Sequence, residues 1–439
     1  MILKSSKLAL TSLTVLSTTF VATLGMVGIS SAKQDTKQPV TLTVMSWNVA
    51  EATLQKDATL YHQLHPNVNF KFVTIDSPTD TYTKLNAELA AGVGVPDVVS
   101  IESSQSESFI SKFPNSFLNL TSRVTSIKKD FTGYKWGALT GPNNQIYGIP
   151  WDTGSSLLFY RKDMFKAAGI NPNSIHTWSQ YIAAGKKLTA FYKGKVKMTA
   201  AAMNDEAMFK MLMNEQGAFF FNQKGQITLN NPAGVRTVNV LKQMYNSGII
   251  KQVPVATDWN DIISAFVNNQ IATVPFGIWY VGTLETSAKN QSGKWAVMPL
   301  PAFTANGSHS ANLGGSNLMI SAKTPHPNTA YDFSKFAMSN TKALNVSMSY
   351  GIFPSYIPYF KSPAITESLK FFGGQKVFQM AANLAKNITP ENHTGDYTTA
   401  LPFIKTALYN ALTNQQSVTD ALNTAAQKIA QVTGRTIVK

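Results

Sequence analysis

Thr41-Leu-Thr-Val-Met-Ser-Trp47 opens a run of about sixty residues whose reading decides the fold class. The stretch alternates in the manner of a strand, and Glu51 to Leu64 predicts a helix behind it. Asn67 to Ile75 is strand-like again. Tyr82, Leu85 and Leu89 then recur at helical spacing, with Gly92 where that helix should stop. Pro96-Asp-Val-Val-Ser-Ile101 is a third strand. Strand and helix alternating this way predict an α/β fold with a parallel sheet and right-handed crossovers. Ligands of such sheets sit beyond the carboxyl ends of the strands. Those ends carry Ser46-Trp47-Asn48, Asp76 and Glu102-Ser103-Ser104, a polar set with one aromatic.

Working outward, Gly148-Ile-Pro-Trp-Asp-Thr-Gly154 leads into an apolar strand from Ser155 to Tyr160 and a short helix from Asp163 to Gly169. Thr177-Trp178 opens a helix to Leu188, and Met203 to Ile250 is rich in helix, Met and Phe, the composition of a core. Asp258 to Asn269 predicts a helix, and Ile271 to Tyr280 a strand carrying Gly277 and Trp279. Leu313-Gly-Gly-Ser316 precedes a strand from Asn317 to Ser321. Helices are expected at Asn328 to Ser339, at Thr341 to Met348 and, as the amphipathic C-terminus, at Val418 to Val432.

The 439 residues contain no cysteine, which excludes disulfides, thiolate metal sites and cysteine nucleophiles. Lys4 and Lys7, an apolar run from Leu8 to Ile29, and Ser30-Ser31-Ala32 make an export signal, with cleavage expected after Ala32. The run approaches bilayer length, so retention as an anchor is the alternative. Without cysteine the chain cannot be anchored as a lipoprotein, and it is expected to work outside the cytoplasmic membrane. The net charge of +15 is spread over scattered lysines with only four arginines, so no nucleic-acid stripe emerges. It fits attraction to an anionic cell surface, or an acidic habitat. The six histidines are dispersed without metal spacing, and nucleophile elbows, phosphate-cradling loops and dinucleotide fingerprints are absent from the sequence. The residues offer no catalytic signature, metal site or cofactor motif.

Lys84-Leu-Asn-Ala-Glu-Leu-Ala-Ala-Gly92 with Val95-Pro-Asp-Val-Val99 resembles the "AAG…PDV" segment of the extracellular solute-binding proteins of ABC importers. Tyr147-Gly-Ile-Pro-Trp-Asp-Thr-Gly-Ser-Ser-Leu-Leu-Phe-Tyr-Arg-Lys-Asp-Met-Phe-Lys-Ala-Ala-Gly169 is similar to their "YGIPW…YYNKDLFKKAG", with Arg161 in place of the usual Asn. Thr177-Trp178, Ala265 to Thr273 with Gly277-Ile-Trp279, Gly314-Gly315 and Tyr350-Gly-Ile-Phe-Pro354 continue the likeness in order. The branch resembled is the carbohydrate-binding, maltose-binding-protein-like one.

The resemblance implies a periplasmic-binding-protein-like fold of two α/β lobes, with a hinge and a ligand in the interlobe cleft. After a signal peptide at 1–32, it implies an N-terminal lobe of 40–151 and 315–351. The C-terminal lobe would be 152–314 and 352–439, with crossings near Asp152, Gly314 and Gly351–Pro354. The ligand-binding residues it implies are Trp47, Asn48, Glu102, Ser103, Trp151, Asp152, Trp279, Tyr280, Gly315, Ser316 and Phe353. Indole and phenol rings offer flat faces to sugar C–H surfaces, and the carboxylates and amide bond hydroxyls, so a di- or oligosaccharide is the expected ligand. Trp279, at the end of an apolar strand, is the expected stacking platform. A monomer delivering sugar to ABC permease subunits, without catalysis, follows from the resemblance. A secreted carbohydrate-active enzyme and a binder of a non-sugar solute are the alternatives.

Overall fold

The computed structural model describes residues 38–438, apart from 76, 142–143 and 255–257. The expected export signal and cleavage point, and Asp76, lie outside the described residues. Three strands of the opening run form as the alternation requires: Val40–Trp47 (β1), Val68–Ile75 (β2) and Val98–Glu102 (β3). β1 pairs in parallel with both β2 and β3. The helix Asn48–Leu64 returns the chain from β1 to β2, burying Ala50, Leu54, Ala58 and Tyr61 at helical spacing. The helix Pro78–Ala91 is capped by Ser77, whose hydroxyl accepts the Asp80 N–H at 3.1 Å. It stops at Gly92, which takes the left-handed φ of +71°.

Gly148–Pro150 (β4) and a strand from far along the chain complete this sheet. After Ser156–Arg161 (β5), Thr199–Ala201 (β6), Ile250–Gln252 (β7), Thr273–Gly277 (β8) and Trp295–Met298 (β9), the strand Ser316–Ile320 (β10) inserts between β3 and β4. The sheet order is β2-β1-β3-β10-β4, and β10 runs antiparallel to both neighbours. Leu42, Val44, Val98, Ile101, Ile149, Leu318 and Phe333 build its core.

The second lobe is built on an antiparallel sheet, β8-β5-β9, beside a parallel pair β6-β7. Every residue of β5 is buried, because the sheet is covered on both faces. Leu157 and Phe159 join one cluster, with Val274, Trp295, Phe353 and Phe372. Leu158 and Tyr160 join the other, with Phe209, Leu212, Leu241, Leu408 and Leu422. This is the two-residue period of a strand read in packing. The α/β fold expected from the sequence is the fold observed.

Three chain segments pass side by side between the two cores. The Thr153 N–H donates to the Phe353 carbonyl at 2.8 Å, and the Ser355 N–H to that of Trp151 at 2.8 Å. The Leu313 N–H donates to Gly154 at 2.8 Å. A Cβ on Gly154 would lie 2.2 Å from the Leu313 oxygen, so only glycine allows this approach. Gly314, Gly315 and Gly351 have φ of +95°, +96° and +77°.

One expected element is shorter than the sequence suggested. The strand read from Ile271 to Tyr280 ends at Gly277, and Tyr280 begins a helix, Tyr280–Ser287. The turn between them sends Trp279 and Tyr280 to different surroundings. Helices at Val377–Ala385 and Tyr397–Leu412 complete the second lobe. Among the described residues no helix is long and apolar enough to cross a membrane.

Candidate functional site

Strand register gathers the polar ends. Trp47 ends β1, Glu102 ends β3, and Ser316, which begins the antiparallel β10, lies opposite Glu102. The Trp151 N–H donates to the Ser316 carbonyl at 3.1 Å, bringing the end of β4 to the same edge. In the second lobe Gly277 lies opposite Ser156, which puts Trp279 at the matching end of that sheet. Between the two edges is a cleft of about 1230 Å³.

Eight of the expected residues line it: Trp47, Asn48, Glu102, Trp151, Asp152, Trp279, Gly315 and Ser316. Their exposure differs. Asn48 projects into solvent from a left-handed φ of +35°, and its Oδ1 accepts the Val49 N–H at 2.5 Å. Trp151 is only 1% exposed; its Nε1 points to Ser347 Oγ at 3.4 Å, so most of the ring is core.

Ser103, Tyr280 and Phe353 stand behind the wall. Ser103 Oγ accepts from Lys135 Nζ at 2.6 Å. Tyr280 is fully buried and packs under Trp259, Phe276 and Trp279. Phe353 is also fully buried, stacked between Phe360 and Phe378.

The polar floor is tied down from below. Asp152 Oδ1 accepts the Ser316 N–H at 2.5 Å. Burial pushes the Asp152 carboxyl upward, while Lys135 and that N–H pull it back. Lys135 is buried and also donates to the Ser316 carbonyl at 3.1 Å. Burial lowers its ammonium to about 8, against the attraction of Asp152, Glu391 and Glu102. Glu102 accepts from the Tyr82 hydroxyl at 3.1 Å, and burial raises its carboxyl despite that bond. A Cβ on Gly315 would sit 2.8 Å from Lys135 Nζ and 2.9 Å from the Asp152 carbonyl oxygen. This floor is therefore fixed before any ligand arrives.

The aromatic wall contains a residue that the sequence reading missed. Trp259, near the start of the helix Asp258–Val267, stacks on Trp279 with centroids 5.7 Å apart and planes at 25°. Trp259 is 40% exposed. Trp279 is partly buried, its Nε1 donating to the Leu313 carbonyl at 2.9 Å and its edge meeting Phe276. The outer ring of the pair is thus Trp259. Its signal was an indole among the polar residues Asp258, Asn260 and Asp261. Glu285, Asn345, Tyr350 and Glu367 also line the cleft without having been singled out.

The arrangement offers flat apolar faces beside carboxylates, an amide and backbone groups. It can hold a neutral molecule with both C–H surfaces and hydroxyls. Among the described residues no group of three or more His, Asp and Glu side chains is placed to hold a metal ion.

The lobes also meet away from the hinge. The Thr394 N–H donates to Glu107 Oε2 at 2.7 Å, and the Tyr134 hydroxyl to Asn312 Oδ1 at 3.1 Å.

Comparison with known proteins bears on most of the chain. The family described as bacterial extracellular solute-binding protein matches residues 46–343. An arabinooligosaccharide-binding protein of Bacillus subtilis (strain 168) is 28% identical over 422 residues, 93% of this chain and 96% of the relative. A lactose-binding protein of Rhizobium radiobacter is 29% identical over 402 residues, 89% of this chain and 92% of the relative. Among solved structures, the ABC-transporter-associated binding protein of B. animalis subsp. lactis Bl-04, in complex with β-1,6-galactobiose, has a TM-score of 0.75 at 22% identity. That match covers 92% of this chain and all of the other, and extends the likeness of fold beyond the family match.

Proposed function

The chain belongs to the bacterial extracellular solute-binding proteins, and from that premise we propose that it captures a di- or oligosaccharide outside the cell and hands it to the permease subunits of an ABC importer. The observation that carries this reading is the cleft, where indole faces stand beside hydrogen-bonding carboxylates between two lobes. The relatives named for arabinooligosaccharide and lactose binding support the ligand class.

In this reading Trp259 and Trp279 form the stacking platform, with Trp47 across the cleft. Asp152, Glu102, Asn48 and Ser316 bond the sugar hydroxyls. Gly315 lets the backbone approach the ligand, while Ser103, Tyr280 and Phe353 hold the wall from behind. Residues 40–151 and 315–351 move against 152–314 and 352–439 about the three crossings. The protein acts as an exported monomer, uses no cofactor or nucleic acid, and carries out no chemistry on its ligand.

Deletion of the gene tests this in the host. Uptake of one labelled saccharide class should be lost while breakdown of that sugar in the medium continues. Incubating the pure protein with the same sugars should leave them unchanged on thin-layer chromatography; new products would turn the reading towards an enzyme.

A further inference from the structure

The charge of the cleft runs against the charge of the chain. The protein carries +15 overall, which by itself would draw anions. Yet the charged side chains lining the cleft, among the described residues, are Glu102, Asp152, Glu285 and Glu367, and no Lys, Arg or His accompanies them. None of the ion pairs among the described residues involves any of the four. Lys135, its Nζ donating to Ser103 Oγ and the Ser316 carbonyl from behind Gly315, offsets part of the charge of Asp152 and Glu102, and Lys210 also acts on Glu102. Glu102 and Asp152 are anchored by hydrogen bonds. Among the described residues Glu285 and Glu367 have no such anchor: Glu285 is half-buried on the helix Tyr280–Ser287 and Glu367 is exposed.

We infer that the cleft sorts saccharides by charge, admitting neutral and amine-bearing sugars and rejecting those that carry a carboxylate. An anionic sugar would bring its charge beside Glu285 and Glu367, which have no cation paired with them among the described residues, and partial desolvation strengthens that repulsion. An ammonium group meets carboxylates and the faces of Trp259 and Trp279, both of which attract cations. The long-range positive field does not reverse this, because at physiological salt it decays over roughly 8 Å. Glu285 and Glu367 are the specificity-determining pair, since they add charge without supporting the floor. The inference rests on the saccharide reading above and refines it.

Matched ligands of one shape test the rule. Lactitol, lactobionate and 1-amino-1-deoxylactitol differ only in the group at one end, a hydroxymethyl, a carboxylate or an aminomethyl, as do maltitol and its two counterparts. Each is titrated into the full protein by calorimetry at about 0.15 M and at about 0.5 M salt, alongside lactose and maltose. The anion should bind about tenfold more weakly than the neutral alditol at physiological salt, and the gap should narrow at the higher salt. The amine should bind at least as tightly as the alditol. In the double variant Glu285→Gln/Glu367→Gln, with a melting curve matching the native one, the gap should shrink severalfold. If that variant melts early, Glu367→Gln alone, at an exposed site, must narrow the gap. Equal binding of alditol and anion, or a gap indifferent to both variants, overturns the charge rule while leaving saccharide binding intact. Failure of every neutral sugar and alditol to bind would instead remove the saccharide reading, and this rule with it.

Discussion

Trp259→Ala is the substitution that separates the aromatic wall from the core. Trp259 is 40% exposed and stacks on Trp279 at 5.7 Å. If a buried indole covers about 250 Å², about 100 Å² of this ring faces the cleft. A sugar lying on one side would cover about half of that. At roughly 25 cal/mol per Å² the loss is about 1.2 kcal/mol, or about tenfold in affinity. The stacking with Trp279 is worth roughly 0.5–1.5 kcal/mol to the fold, so the melting temperature should fall by only a few degrees. Trp279→Ala should behave differently. It removes the hydrogen bond to the Leu313 carbonyl at a lobe crossing and the edge contact with Phe276, so stability and affinity should fall together. Calorimetric titration and a melting curve on each variant provide the readout, with Trp259→Phe expected to recover part of the affinity. An unchanged Kd in Trp259→Ala for every saccharide that the native protein binds would refute the platform.

Asp57 is fully buried with neither carboxyl oxygen hydrogen-bonded, and burial raises it from 3.8 to about 8. A raised carboxyl gives stability that is fully present below pH 4 and is lost as pH climbs towards 8. Across pH 4 to 7 that is at most about 4 kcal/mol, so Asp57→Asn should flatten the fall of melting temperature with pH; equal slopes would mean that other groups set it. Gly154→Ala puts a Cβ 2.2 Å from the Leu313 oxygen and should cost about 1–3 kcal/mol in a denaturant melt, and a neutral result would show that the crossings yield easily. Glu107→Ala removes the acceptor of the Thr394 N–H that links the lobes. Small-angle scattering of this variant should show a larger radius of gyration than that of the native protein under the same conditions; identical radii would show that this contact does not favour closure.

The sequence made the parallel strands β1, β2 and β3 legible because each pairs with a neighbour close along the chain, where alternation and helix signals act locally. β10 also read as a strand, but its insertion between β3 and β4 did not, since it joins segments more than 160 residues apart. The cleft residues at strand ends followed from the same local logic. Tyr280 was carried over from the family resemblance; the turn after Gly277 buries it beneath the aromatic wall. Trp259 was missed for a different reason: it stands on a helix, and only the packing of that helix against β8 brings its ring over Trp279. The helix Tyr397–Leu412 was hidden in part by Pro402, which local rules read as a break but which lies within it.

The central claim is that this cleft binds a saccharide without transforming it. Isothermal titration of the pure protein against mono-, di- and oligosaccharides, among them lactose, maltose, arabinobiose, arabinotriose and β-1,6-galactobiose, tests it most directly. The account predicts saturable binding of at least one neutral di- or oligosaccharide at one site per chain, with the sugar recovered intact afterwards. Titrations flat for every saccharide, with saturable binding of an amino acid or peptide instead, would contradict it.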